Sequence, residues 1–143
     1  MKRIRGSIEI EAPVGAVWER MMDFGSYPKW NPWIVLIEGD QMVGGKLNVL
    51  ARVEGRKDTR LFSVVLKNEK DRAFLLKSTV IKGMLGDTHS FVFESLGEKK
   101  TRFTQTVEFK GAMSPFIGGV AADQQKGLDL MNLAAKKLCE AQK

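Results

Sequence analysis

The chain is short of the residues from which metal centres and cross-links are built. Among its 143 residues there is one cysteine, Cys139, and one histidine, His89. A lone cysteine rules out an intramolecular disulfide and a cysteine-based zinc cluster, and a lone histidine leaves little to build a catalytic zinc site. Neither a metal nor a cofactor is expected. Phosphate-binding signatures are missing too: there is no P-loop and no Gly-x-Gly-x-x-Gly after a strand, nor is there a His-Glu-x-x-His. No nucleophile elbow marks a serine hydrolase. Long apolar runs are also lacking. The longest uncharged apolar stretch, 111–122, is too short to span a bilayer and is broken by Pro115 and by glycines. The basic start Met1-Lys2-Arg3-Ile4-Arg5 runs into Glu9 and Glu11 with no apolar segment behind it. No export signal is read there, so a cytoplasmic location without stable membrane insertion is expected.

What is present is ordinary globular material, 43% hydrophobic and 28% charged, which excludes a disordered or fibrous chain. The length suits a single domain over 1–143, able to bury roughly 70% of the surface of the unfolded chain. The net charge of +6 raises general attraction to anions. Its lysines and arginines are spread along the chain, however, and where they bunch (Arg56-Lys57, Lys99-Lys100, Lys136-Lys137) turns or a helix end account for them. They read as solvated charge, and no nucleic-acid partner is expected. No pattern speaks to oligomeric state.

The hydropathy periods divide the chain cleanly. Ile4, Ile8 and Ile10 alternate with charged residues, the mark of a half-buried strand. Pro13 can open a helix, and Val14, Val17, Trp18 and Met21 follow at helical spacing, with Gly25 predicted to end it. A turn-rich aromatic stretch covers Tyr27 to Pro32. Strands follow: Leu47, Val49, Ala51 and Val53 alternate, while Leu61–Leu66 and Ala73–Ile81 are apolar on both faces. His89, Phe91 and Phe93 share one face of a further strand, and Phe103, Gln105, Val107 and Phe109 share one face of the next. Ser114 and Pro115 predict the start of a long helix whose stripe runs through Ile117, Val120, Ala121, Leu128, Met131, Ala135 and Leu138. Strand, helix, about six strands and a long helix imply an α+β fold with an antiparallel sheet packed against helices. A long sheet of this kind coils, and the space it encloses can exceed what one helix fills.

Several of these segments carry a resemblance. Tyr-Pro-Lys-Trp-Asn-Pro-Trp-Ile (Tyr27 to Ile34) is similar to the aromatic signature that follows the first helix in the START-related, or SRPBCC, superfamily of polyketide cyclase-like and pollen-allergen-like proteins. The runs His89–Glu94, Thr101–Gln105, Val107–Gly111 and Gly127–Asn132 fit it in order and spacing, from about Ile8 to Ala141. The resemblance implies a helix-grip fold: a curved seven-stranded antiparallel sheet around a long C-terminal helix, with two short helices after the first strand. It also implies a cavity that in relatives takes lipids, sterols, polyketides or plant hormones. It does not imply one activity, because the superfamily includes carriers, cyclases and chaperone activators, and function is argued from the site.

Ten residues are candidates for such a site: Trp33, His89, Phe91, Phe103, Gln105, Val107, Met113, Phe116, Gln124 and Leu128. His89 is either a polar anchor or acid/base in an apolar pocket, or a core histidine bonded to a neighbour. Gln105, on the matching face of the next strand, either pairs with His89 or meets a ligand. Gln124 interrupts the apolar stripe and either faces the same space or leaves at its edge. Trp30 and Trp33 read as a cap over the core, with a ligand-lining role as the alternative for one of them. The segment 111–119, with Met113 and Phe116, is either a flexible gate or a tight connection. Cys139 reads as helix packing, since no base partner is near it in sequence. The expected function is binding of an apolar or amphipathic small molecule, which would be sequestered, sensed or transported. Two alternatives are a cyclase/dehydratase-type enzyme using His89 as general acid/base and an interaction module. The module predicts a filled interior and an exposed apolar patch.

Overall fold

The computed structural model describes residues 2–141. The chain forms β1 (Lys2–Ile10), α1 (Val14–Met22), a 3-10 turn (Phe24–Ser26) and α2 (Tyr27–Trp30). Six strands follow: β2 (Ile34–Gly39), β3 (Lys46–Ala51), β4 (Thr59–Glu69), β5 (Ala73–Ile81), β6 (Leu85–Gly97) and β7 (Lys100–Lys110). A second 3-10 turn (Ser114–Phe116) leads into α3 (Gly118–Glu140). The strands make one antiparallel sheet in the order β1-β7-β6-β5-β4-β3-β2, curled into a half-barrel around α3. This is the helix-grip α+β architecture.

The topology explains the two short helices. Strands β2 to β7 form a meander of neighbours, but β1 and β2 lie at opposite edges of the sheet. The chain between them must cross from one edge to the other, and α1, the 3-10 turn and α2 make that crossing. They thereby cover one end of the half-barrel. Asn31 finishes the crossing: its side-chain oxygen accepts the backbone N–H groups of both Trp33 and Ile34 at 2.9 Å, which sets the turn into β2.

Two boundaries differ from the sequence reading. Helix α1 stops at Met22, not Gly25, because Asp23 leaves helical geometry and the 3-10 turn beyond it buries Phe24 against Tyr27 and Phe74. Helix α3 begins at Gly118 instead of near Ser114. Residues 114–116 close a separate 3-10 turn, and Ile117, itself buried, accepts the first α-helical hydrogen bond from the Ala121 N–H at 2.8 Å.

Alternation puts Phe74 and Leu76 of β5, Phe91 and Phe93 of β6, and Phe103 and Val107 of β7 on the concave face. The large rings gather at the end covered by α1 and α2. Trp18 meets Phe93 edge-on at 5.1 Å, and Phe91 meets Phe103 at 5.7 Å. That end is filled. The convex face is left apolar along β4, where Phe62, Val64 and Leu66 are exposed.

Candidate functional site

Toward the other end the inward positions carry smaller groups. Strand β3 offers Val49 and Ala51, β5 offers Ser78, and the first turn of α3 is Gly118-Gly119-Val120-Ala121. Helix and sheet therefore do not meet there, and a cavity of about 310 Å³ remains between them. Its rim includes half-buried Leu85, Met113 and Val120 and the more exposed Ile81. The wall is apolar apart from five side chains that carry polar groups without belonging to the core: Thr59, Ser78, Asp87, His89 and Gln124. Ligand sites are commonly built this way, with volumes from about 300 Å³ upward and a few polar groups in an apolar wall.

The first polar group lies on the sheet. Ser63, Ser78 and Asp87 are direct neighbours across β4, β5 and β6, and all three are buried. The Ser63 and Ser78 hydroxyls are 2.7 Å apart. Burial pushes the Asp87 carboxyl up to about 7, and hydrogen bonding from Ser78 offsets only part of this.

The second polar group starts two residues along β6. His89 Nε2 lies 2.8 Å from Gln105 Oε1, and Gln105 Nε2 donates to Asn132 Oδ1 of α3, also at 2.8 Å. Because the Gln105 amide donates to Asn132, its oxygen faces the histidine, so His89 donates through Nε2–H and keeps its lone pair on Nδ1. Burial holds the ring neutral, pushing its pKa down to about 4 against the opposing effect of the Gln105 bond. Replacing Gln105 by leucine leaves two buried groups, the His89 N–H and the Asn132 oxygen, without partners. The expected cost is about 2–3 kcal/mol in urea unfolding. A loss below about 0.5 kcal/mol would show that this chain is not what satisfies them.

Trp33 joins sheet and helix. Its indole N–H donates to Gln124 Oε1 at 2.6 Å, and its ring lies 5.4 Å from that of His89. Gly127, one turn further along α3, lets the indole lie against the helix backbone: a Cβ there would be 2.7 Å from Trp33 Cγ and 2.8 Å from Nε1.

Of the ten sequence candidates, Trp33, His89, Val107, Met113 and Gln124 line the cavity. The other five do not. Phe91, Phe103 and Leu128 share its face of the fold but lie in the filled core. Alternation gives the face of a residue but not its position along the barrel. Gln105 stands behind His89 as its hydrogen-bond partner, also outside the wall. Phe116, in the 3-10 turn, is 83% exposed and lies off the wall, so of the two candidates in segment 111–119 only Met113 lines the cavity. Trp30 stays with the cap, its N–H donating to Ser26 Oγ at 3.0 Å. Cys139 is buried, its thiol pushed up to about 11 by that burial, so it is not a thiolate near neutrality. The lining residues missed were chiefly Asp87, Ser78, Thr59 and Ile117. Asp87 carries a sequence signal: extending the alternation Phe93, Phe91, His89 by one step places it on the same face.

Fold and cavity together define a helix-grip protein with an unfilled, largely apolar interior space. The chain belongs to the family described as polyketide cyclase / dehydrase and lipid transport, whose model matches residues 1–136. Its fold is similar to that of the Zhui aromatase/cyclase from Streptomyces sp. R1128, with a TM-score of 0.80 at 14% identity, covering 99% of this chain and 94% of that one. A START superfamily protein from Mycobacterium smegmatis gives a TM-score of 0.78 at 16% identity, covering 99% of both chains. Norcoclaurine synthase from Thalictrum flavum, in complex with dopamine and hydroxybenzaldehyde, gives 0.74 at 14% identity, covering 99% of this chain and 88% of that one. At these identities the likeness is one of fold. No curated protein matches the chain. Among the described residues no helix is long and apolar enough to cross a membrane, and no cluster of histidine, cysteine and carboxylate side chains could hold a metal ion.

Proposed function

We propose that the protein binds an apolar or amphipathic small molecule in the space between the sheet and the start of α3, as a carrier, sensor or sequestering protein. One observation carries this reading: the interior is unfilled at one end while the other end is tightly packed with aromatic rings. A cavity of about 310 Å³ bounded by Val49, Leu76, Val107 and Ile117 has no structural use of its own, since empty apolar space lowers stability. A ligand burying about 300 Å² of apolar surface there gains roughly 7 kcal/mol before the costs of association. The family description, which includes lipid transport, and a similar fold that holds dopamine and hydroxybenzaldehyde support a small organic occupant. An interaction module would instead be expected to have its interior filled.

An enzymatic reading has one observation in its favour. Asp87 and His89 face the cavity from alternate positions of one strand, and burial moves their pKa values in opposite senses. Near neutrality this supplies a partly protonated carboxyl beside a neutral imidazole, the pairing a cyclase or dehydratase needs for proton transfer. Turnover abolished in His89→Ala with ligand affinity retained would select it; weakened binding alone would select the carrier.

The test of binding is to fill the space. Ala51→Phe places a ring into the cavity from β3, where Ala51 is buried on its wall. Affinity for the neutral apolar dye Nile red should fall by at least roughly tenfold, or about 1.4 kcal/mol, with the fold intact by circular dichroism. Unchanged dye binding in a folded variant would place the dye elsewhere and remove the support for this site.

A further inference from the structure

We propose that the cavity selects an amphiphile with a cationic head, an aliphatic or arylalkyl amine seated with its ammonium against Asp87, and turns away carboxylate ligands such as fatty acids. This rests on the ligand-binding reading above and names the ligand class for the same site. The argument begins with what surrounds Asp87. It lines the cavity and is 7% exposed. Its cross-strand neighbours are Ser78 on β5 and Phe109 on β7, and the next inward residue of its own strand is His89. Strands β3 and β4 contribute Val49, Ala51, Thr59 and Leu61 to the wall, and α3 with the residue before it contributes Ile117, Val120 and Gln124, none of them titratable. Among the described residues His89 is thus the one other titratable group on the wall, and it is held neutral.

Among the described residues no lysine or arginine lines the cavity. The arginines of the β3–β4 connection are engaged elsewhere: Arg52 pairs with Asp58 at 2.8 Å and Arg56 pairs with Asp123 at 2.5 Å. Lys82 and Lys110, at the strand ends beside the rim, are exposed. A carboxyl buried among neutral groups is costly to ionise, which is why its pKa is raised. An ammonium ion supplies the missing counter-charge in a medium of low dielectric, where the attraction is far stronger than in water. A carboxylate ligand does the opposite and sets a second negative charge beside the first.

Most of the remaining polar groups can accept a hydrogen bond; the exception is the Gln124 amide, whose oxygen is given to Trp33 and whose N–H groups donate. His89 Nδ1 presents a lone pair because Nε2–H is given to Gln105. With the Asp87 oxygens and the Ser78 and Thr59 hydroxyls, the wall is rich in acceptors, as a head group with three N–H donors requires. Strand geometry puts Asp87 and His89 on the same face about 7 Å apart along β6, so one head group can reach toward both. The proton balance is simple. Where Asp87 is protonated in the free protein, docking of an ammonium ion expels that proton to solvent.

Three ligands of equal chain length separate the possibilities: octylamine, octanol and octanoate, each competed against Nile red at pH 8.5. Octylamine should bind at least roughly tenfold more tightly than octanol, and octanoate should bind most weakly. In Asp87→Asn the advantage of the amine over the alcohol should fall below about twofold while octanol affinity is kept. At pH 5.5 in the unmodified protein the same advantage should shrink, and at pH 7 the measured enthalpy should vary with buffer ionisation as the proton leaves. Octylamine and octanol binding equally, or octanoate binding tightest, would overturn the proposal and leave small-molecule binding standing. If neither the dye nor any of the three ligands binds, the binding reading itself falls and takes this proposal with it.

Discussion

Asp87→Asn is expected to raise stability relative to the unmodified protein, with a gap that widens by up to about 4 kcal/mol between pH 4 and pH 9. The direction follows from linkage. In the unfolded chain this carboxyl titrates near its ordinary value of 3.8; in the folded protein burial moves it to about 7. Between those values the native state holds a proton that the unfolded state has lost, so stability falls as pH rises through the interval. The contribution is fully present below the unfolded value and is lost once pH passes the folded one. An asparagine of nearly the same shape cannot ionise and avoids the loss. His89 works the other way: its folded pKa of about 4 lies below its ordinary 6.5, so its contribution is present above the latter and is lost as pH falls toward 4. Both proteins share that trend, and it cancels in the difference between them. Paired urea titrations across the range test this. A gap that stays flat would mean that water or a counter-ion already solvates the carboxylate, and the electrostatic basis for amine selection would go with it.

Gly127→Ala should destabilise the fold by about 2 kcal/mol, against the general rule for helices. In an exposed helix interior the same change stabilises by about 1 kcal/mol, because alanine has the higher helix propensity. Here the added methyl would overlap the Trp33 ring, with atoms at 2.7 and 2.8 Å that no real Cβ contact tolerates. The obstacle is a rigid indole held on both sides, by Gln124 through its N–H and by His89 against its ring. Relief requires α3 to lift or Trp33 to turn into the cavity. Either movement should also change dye affinity and shift the tryptophan fluorescence, which a purely local helix effect would not do. If the alanine variant proves more stable than the parent, Trp33 does not pack against the helix as described.

The two variants bear on different parts of the molecule, and both depend on relations that run across elements. Residue patterns within single elements were legible. The apolar run Ala73–Ile81 coincides with β5, and the period in His89, Phe91 and Phe93 places the concave face of β6 correctly. The stripe Leu128, Met131, Ala135 marks the face of α3 that meets the sheet, and all three are fully buried. The START-related resemblance supplied the number of strands and the two-helix crossing, which periodicity alone did not resolve. The start of α3 was misread for a physical reason. Ser-Pro is an equally good opening for a 3-10 turn, and the choice was made by Ile117, whose burial requires the chain to turn before the long helix begins.

The candidate site shows the same division more sharply. Phe91, Phe103 and Val107 look alike in sequence, each an apolar residue on an inward face. Only Val107 lines the cavity, because the two phenylalanines lie in a ring cluster that Trp18 and Phe24 of the crossing reach through Phe93 and Phe74. In sequence, Gln105 either pairs with His89 or meets a ligand, and Gln124 either faces the same space or leaves at the edge of the stripe. One is satisfied behind the wall by His89 and Asn132; the other lies on the wall with its oxygen given to Trp33.

By itself the sequence determined the fold class, the inward face of most strands and the stripe of the long helix, because side-chain direction follows from backbone period alone. Tertiary structure decided where the interior is empty and what ionises there. A cavity is a mismatch of volumes between distant segments, here the small residues of β3, β5 and the first turn of α3. The raised pKa of Asp87 arises in the same way, from its burial by segments of several elements, which strips the carboxyl of water. Neither property belongs to a residue or to its neighbours in sequence, and both appear only when the sheet has curled around the helix.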